Sequence, residues 1–216
     1  MSTSILIADD HPVVRRGIRS LLETRDGYNV IGEARNGREA ISSARKLAPE
    51  VVIMDPSMPC LNGAAATARI CRECPGTCVV AFSMHSDERH VWNMLDAGAA
   101  GYLLKTCDIS ELLHAINVAR EGGTYLTPSV AGTVVEGYVR NPENPNHREP
   151  RLTEKEREVL QLIAEGKNAK QIGGQLHVSS RTIDSHRQRI MAKLGVKSVA
   201  ELTKCAVRLG LTSIEE

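Results

Sequence analysis

Aromatic side chains are almost missing from this 216-residue chain: one Trp, one Phe and four Tyr make up 3% of it. Recognition of single-stranded nucleic acid by stacking bases on aromatic platforms is therefore poorly equipped. Long hydrophobic runs are lacking too. None approaches the roughly 20 apolar residues of a membrane helix, and Met1-Ser2-Thr3-Ser4 leads straight into a short strand rather than a signal peptide. The expectation is a cytoplasmic protein without a membrane partner. In that compartment the six cysteines, Cys60, Cys71, Cys74, Cys78, Cys107 and Cys205, are expected as thiols. Cys71-x-x-Cys74 has the spacing of a metal or redox motif, but no His lies among Cys60, Cys71, Cys74 and Cys78. Small packing side chains are the expected role.

A large net charge is also absent, since the chain sums to +1. The charge is nevertheless divided unevenly. Residues 1–147 carry 14 Lys+Arg against 17 Asp+Glu, a net of −3, whereas residues 148–216 carry 13 against 9, a net of +4. An acidic half joined to a basic half predicts two domains, the second facing a polyanion.

Val51-Val52-Ile53-Met54 reads as a strand buried on both faces, with Asp55 at its carboxyl end and Pro56 and Pro59 forcing a turn. Ser4–Ala8 is a similar strand ending in Asp9-Asp10-His11-Pro12, and Pro12 suits the first position of a helix whose stripe is Val14, Ile18 and Leu21. Tyr28–Ala34 predicts a second strand, followed by a helix carried by Ala40, Ile41, Ala44 and Leu47. A helix from about Gly63, the strand 79–83, a helix near 88–97, the strand Gly101–Lys105 and a helix through Ile109–Ala119 complete the pattern. Five strands alternating with five helices predict an α/β, doubly wound parallel sheet over residues 1–123. Residues 124–148, with Pro-rich Asn141–Pro150 at their end, read as a linker. Over 149–216 the pattern is all helical. Thr153-x-x-Glu156 forms a capping box, Leu160 and Ile163 mark a buried face, and further helices are predicted near 169–176, 180–194 and 199–209.

Function in open α/β sheets gathers outside the carboxyl ends of the strands. A strand order of 2-1-3-4-5 brings Asp9 and Asp10 beside Asp55, with Ser83 and Lys105 ending the next two strands on the same edge. Three carboxylates repel one another unless a cation neutralises them, and hard oxygen ligands suit Mg²⁺. A carboxylate nucleophile, a divalent cation, a hydroxyl and an ammonium are the equipment for accepting a phosphoryl group on Asp55.

Asp9-Asp10, Asp55-x-x-Met58-Pro59, Ser83 and Gly101-Tyr102-Leu103-Leu104-Lys105 resemble the receiver domain of bacterial two-component response regulators, over residues 4–122. The resemblance implies a flavodoxin-like fold and Asp55 as phosphoacceptor. It implies Asp10 as direct Mg²⁺ ligand with Asp9 in support, and the Ser57 carbonyl as a further ligand. It also implies Ser83 and Tyr102 as a switch pair that reorients on phosphorylation, and a histidine kinase as partner. One departure is Pro56, which removes a backbone N–H beside the nucleophile where the family usually has an apolar residue.

In the basic half, two helices joined by His177-Val178-Ser179-Ser180 read as a helix-turn-helix with Ser179 as N-cap of the second. Ile183, Ile190 and Leu194 share the core face of that helix. Arg181, Ser185, Gln188 and Ala192 lie opposite, flanked by Asp184 and Arg189. Lys170, Arg187, Lys193 and Lys197 form a basic border suited to backbone phosphates. Thr153-x-x-Glu156 through Gly166, Ser179-x-x-Thr182-Ile183-x-x-His186 and Lys193-Leu194-Gly195-Val196 resemble the NarL/LuxR-type DNA-binding domain over about 149–212. That implies Ser180–Leu194 as recognition helix on double-stranded DNA, with Thr182 and His186 among its contacts, and a homodimer in the active state. Gly173-Gly174 and Asp184 depart from the family pattern.

The combined reading is a phosphorylation-controlled transcriptional regulator rather than an enzyme. A phosphatase built on an aspartyl nucleophile would carry a second carboxylate two residues later, where this chain has Ser57. The other alternative is a regulator whose receiver no longer takes phosphate and is controlled by protein contacts.

Overall fold

The computed structural model describes residues 2–140 and 152–212, and its contacts divide into two compact units after Arg140. In the first unit the order is β1 (Thr3–Ala8), α1 (Pro12–Glu23), β2 (Tyr28–Ala34), α2 (Gly37–Leu47), β3 (Val51–Met54) and α3 (Gly63–Glu73). It continues with β4 (Cys78–Ser83), α4 (Glu88–Asp96), β5 (Gly101–Leu104), α5 (Ile109–Arg120), β6 (Tyr125–Leu126) and α6 (Pro128–Arg140). The strands form one sheet in the order β2-β1-β3-β4-β5-β6, and every pairing is parallel.

Because successive strand residues point to opposite faces, each strand feeds two cores. Leu6, Ala8, Val52, Met54, Val79, Ala81 and Tyr102 pack with α2, α3, α4 and α6. Ile5, Ile7, Val51, Ile53, Val80, Phe82 and Leu103 pack with α1 and α5. Both faces are covered, which is why the strands read as continuous apolar runs.

Three expectations need correction. The sheet has a sixth strand. The stretch 124–148 does not begin as a linker, because Tyr125 and Leu126 pair with Gly101 and Tyr102 and Val130 of α6 is fully buried beside Val91 and Met94. A two-residue strand offers no periodicity to read, so the sequence hid it; Asn141–Pro150 lies outside the described residues. Finally, the α1 stripe runs through Ile18 and Leu22, with Leu21 48% exposed, and Leu47 at the end of α2 is 37% exposed.

The second unit contains α7 (Glu154–Ala164), α8 (Ala169–Leu176), α9 (Ser180–Leu194) and α10 (Val199–Arg208). Each starts on a side-chain cap, Thr153, Asn168, Ser179 and Ser198 respectively, and all but Ser179 complete a reciprocal capping box. Their apolar stripes meet in one core that includes Leu160, Ile163, Ile172, Ile183, Ile190 and Leu202. Gly173 is required where α8 meets the following turn, since a Cβ there would lie 2.7 Å from the Val178 carbonyl oxygen. Among the described residues no helix is long and apolar enough to cross a membrane.

Candidate functional site

Parallel pairing of β1 with β3 sets Ala8 opposite Met54, and the Asp55 N–H continues the ladder onto the Ala8 carbonyl at 2.8 Å. Asp9 and Asp55 therefore leave the sheet side by side. Both are buried, at 2% and 4% exposure. Lys105, one residue past β5, reaches into the same space with its N–H on the Ser83 carbonyl at 2.7 Å. Its Nζ lies 2.5 Å from Asp55 Oδ2 and 2.7 Å from Asp9 Oδ2. The other Asp55 oxygen, Oδ1, accepts the Ser57 N–H at 2.9 Å. This loop is tight because the start of α3 presses on it. A Cβ at Gly63 would sit 2.1 Å from the Asp55 carbonyl oxygen, and the Gly63 N–H donates to the Pro56 carbonyl at 2.8 Å.

Burial pushes the Asp55 pKa up to about 6, against the pull of Lys105 and with the charge of Asp9 adding to the rise. An ion pair alone would lower it, so desolvation wins here. Burial also works against the charge of Lys105, yet Asp55 and Asp9 hold its pKa above the ordinary lysine value. The pocket thus keeps one ammonium for three carboxylates and is short of positive charge. Ligand atoms of Asp9, Asp10, His11 and Asp55 all lie within 4.8 Å of one another. Asp10 Oδ1 is buried and accepts no hydrogen bond, although His11 Nδ1 lies 2.9 Å away; distance alone does not make the bond. An orphaned carboxylate oxygen among hard oxygen donors fits a divalent cation such as Mg²⁺.

Ser83 and Tyr102 are both fully buried. Ser83 Oγ accepts the His85 N–H at 3.0 Å, and the Tyr102 hydroxyl donates to the His85 carbonyl at 2.7 Å. The two are joined through the backbone of one residue in the loop after β4. Burial raises the Tyr102 pKa, so the phenol stays protonated.

In the second unit Arg181, Thr182, Ser185, Gln188 and Arg189 are exposed on α9, while Ile183 and Ile190 face the core. Thr182 is also part of the cap, its hydroxyl 2.8 Å from Ser179 Oγ. Asp184 pairs with Arg187 at 3.2 Å, and Ser185 bonds back to the Arg181 carbonyl at 3.1 Å. His186 is half-buried. Lys170 and Lys197 are exposed. Lys193, expected as a phosphate contact, is engaged within the unit: its Nζ lies 2.6 Å from Oε2 of the capping residue Glu156. The structure therefore brings the predicted pocket residues together, but ties Lys193 to α7.

Sequence reasoning missed His11, whose signal was adjacency to Asp9-Asp10. It also missed Glu156 as partner of Lys193, and Arg15, a charge lying on the buried stripe of α1 with Ile18 and Leu22. The cysteines are all free. Burial raises the pKa of Cys71 and Cys78 and pushes Cys107 up to about 11, so these are poor thiolates.

The profile of the response regulator receiver domain matches residues 5–117, and that of bacterial regulatory proteins of the luxR family matches residues 150–206. The transcriptional regulatory protein LiaR of Bacillus subtilis is 38% identical over 203 residues, covering 94% of each chain. The response regulator UvrY of Escherichia coli is 34% identical over 212 residues, 98% of this chain and 97% of that one. Among solved structures, RcsB of Salmonella enterica bound to promoter rprA with the phosphomimetic BeF3− matches with TM-score 0.63 and 30% identity, covering 99% of this chain and 100% of that one. A structure of two RcsB dimers on two parallel DNAs matches with TM-score 0.59 and 30% identity, covering 97% and 99%.

Proposed function

Because the chain belongs to the LuxR-type two-component response regulators, we propose that it is a transcription factor in which phosphoryl transfer to Asp55 controls operator binding by α9. The observation that carries this reading is the buried Asp9–Lys105–Asp55 cluster with the orphaned Asp10 oxygen beside it.

A carboxylate oxygen of Asp55 attacks the phosphorus of a phosphohistidine or of a small acyl phosphate. The new O–P bond forms as the P–N or P–O bond to the leaving imidazole or carboxylate breaks. Asp9, Asp10, Asp55 and the Ser57 carbonyl would hold Mg²⁺, which when bound offsets the charge on the phosphoryl oxygens. Lys105 supplies a second positive charge, and the Ser83 side chain, whose Oγ at rest accepts the His85 N–H, rotates to donate its O–H to a phosphoryl oxygen and in moving gives up His85. That exchange removes one of the two bonds holding the loop after β4, and Tyr102, anchored on the same residue, moves with it. Shifting a population from 1:99 to 99:1 needs a differential of about 5.5 kcal/mol, so the switch draws on packing as well as on one hydrogen bond.

The reading on the DNA side rests on the exposed face of α9 and on the relatives. RcsB binds DNA as dimers in the matched structure, and a lone helix-turn-helix module gains from pairing on two half-sites. The partners are accordingly a cognate histidine kinase, double-stranded DNA and a second copy of the chain, in the cytoplasm. The test is the intact mass after incubation with acetyl phosphate. A Mg²⁺-dependent gain of one phosphoryl group, lost in Asp55→Asn, is expected; an equal gain in that variant would place the acceptor elsewhere.

A further inference from the structure

Asp9 is held at every oxygen it has. Its Oδ1 accepts the His11 N–H at 2.8 Å, its Oδ2 receives Lys105 at 2.7 Å, and its main-chain carbonyl accepts a hydrogen bond from Arg15 Nη1 at 2.6 Å. The last of these is unusual, because Arg15 is a charged residue only 7% exposed on the buried stripe of α1. Its Nε bonds Glu33 Oε2 of β2 at 3.1 Å. Arg19, one turn later, holds the other Glu33 oxygen at 2.6 Å, and these two arginines lower the Glu33 pKa, Arg19 more than Arg15. The neighbouring β2 residue, Ala34, accepts the Asp9 N–H at 3.1 Å. Burying a guanidinium is costly unless it is paired and hydrogen-bonded, and here Glu33 supplies the pair and the Asp9 carbonyl, beside the acid pocket, the hydrogen bond.

The Asp9 carbonyl is one end of the peptide unit whose other end is the Asp10 nitrogen. A planar peptide fixed at its oxygen fixes the direction in which the next residue departs. Asp10 accepts no hydrogen bond on its buried Oδ1 and has His11 Nδ1, itself largely exposed, 2.9 Å from that oxygen, so the direction of that peptide is the buried constraint on where its carboxylate starts. We infer that Arg15, braced by Glu33, is a positioning residue that aims Asp10 into the pocket for the divalent cation. The inference rests on the acid pocket being a cation and phosphoryl site. The planar fork of Arg reaches the carbonyl and the carboxylate at once, which the single ammonium of Lys does less well.

The experiment is Mg²⁺ titration by isothermal calorimetry on the full chain and its Arg15→Met, Arg15→Lys and Arg19→Met variants, with circular dichroism to verify folding. Loss of a residue that orients a metal ligand weakens metal affinity by about ten- to hundred-fold, and that loss is expected for Arg15→Met. Arg15→Lys should show an intermediate loss with the charge retained; it carries the test if Arg15→Met does not fold. Arg19→Met also removes a Glu33 contact but leaves the Asp9 carbonyl bonded, so it should bind Mg²⁺ as the parent does. Parent-like affinity in folded Arg15→Met or in Arg15→Lys, or an equal loss in Arg19→Met, would overturn the positioning role. Absence of Mg²⁺ binding in the parent would sink the underlying pocket reading as well, and is thereby distinguishable.

Discussion

The acid pocket and the α9 surface are assembled by opposite means. The pocket gathers groups from the ends of several strands, buries Asp9 and Asp55, and holds both through Lys105, which is far from either in sequence. The α9 residues come from one continuous helix, are exposed, and owe their arrangement to a 3.6-residue period and one N-cap. A pocket built from long-range contacts is specified by topology and is sensitive to any change that shifts the sheet edge. A surface built from a local period tolerates substitution, and each side chain acts nearly alone. Additivity should therefore fail in the first region and hold in the second.

The largest effect should come from breaking the pocket where it is tightest. Gly63→Ala places a methyl against the Asp55 carbonyl and should cost about 3 kcal/mol, the upper end for overpacking. Chemical denaturation would measure that loss, and slower acetyl phosphate labelling should accompany it. A variant of parental stability and labelling rate would mean that the loop yields freely.

On α9 the expected effects are smaller and separable. Gln188→Ala removes an amide able to pair with an adenine edge and should cost about 1–3 kcal/mol on the preferred duplex and less on random DNA. Arg189→Ala should weaken both duplexes alike and make the salt slope shallower by about one unit. Salt titrations on the two duplexes check this division. Equal loss from Gln188→Ala on both would show that α9 is not docked through its outward face.

Lys193→Met tests whether that residue belongs to the unit's fold. Removing a half-exposed partner from the buried Glu156 should cost about 1 kcal/mol of stability, seen as a lower midpoint in urea. Glu156 has its pKa lowered: burial opposes the shift, but bonds from Lys193 and the Thr153 cap outweigh it. A lowered pKa stabilises the fold above the ordinary glutamate value of 4.5, and the contribution is lost as pH falls through the folded value. The parent should therefore lose more stability than Lys193→Met on acidification through that range. Gly174→Ala is the smallest effect and of opposite sign. Nothing lies within 4 Å of its Cβ position, so α8 should gain about 0.5–1 kcal/mol.

The same contrast explains what could be read from the sequence. Asp9, Asp55, Ser83 and Lys105 were legible because each closes or directly follows an apolar strand run, and a doubly wound order sends those ends to one edge. β6 was not, since its two residues carry no period. Arg15 was hidden for a related reason: its partners, the Asp9 carbonyl and Glu33, are set by how α1 lies on β1 and β2. On α9 the period identified the faces, yet it could not show that Lys193 bends back to Glu156, which belongs to another helix.

Coupling of the two regions means that a phosphoryl group in the first changes DNA affinity in the second. Its most direct test is a fluorescence-anisotropy titration on a duplex selected from a random pool. The full chain and Asp55→Asn are compared before and after treatment with acetyl phosphate and Mg²⁺, with adduct occupancy read by mass. The parent's affinity should shift in proportion to occupancy while Asp55→Asn stays where it began. Full occupancy of Asp55 with an unchanged binding curve would contradict it.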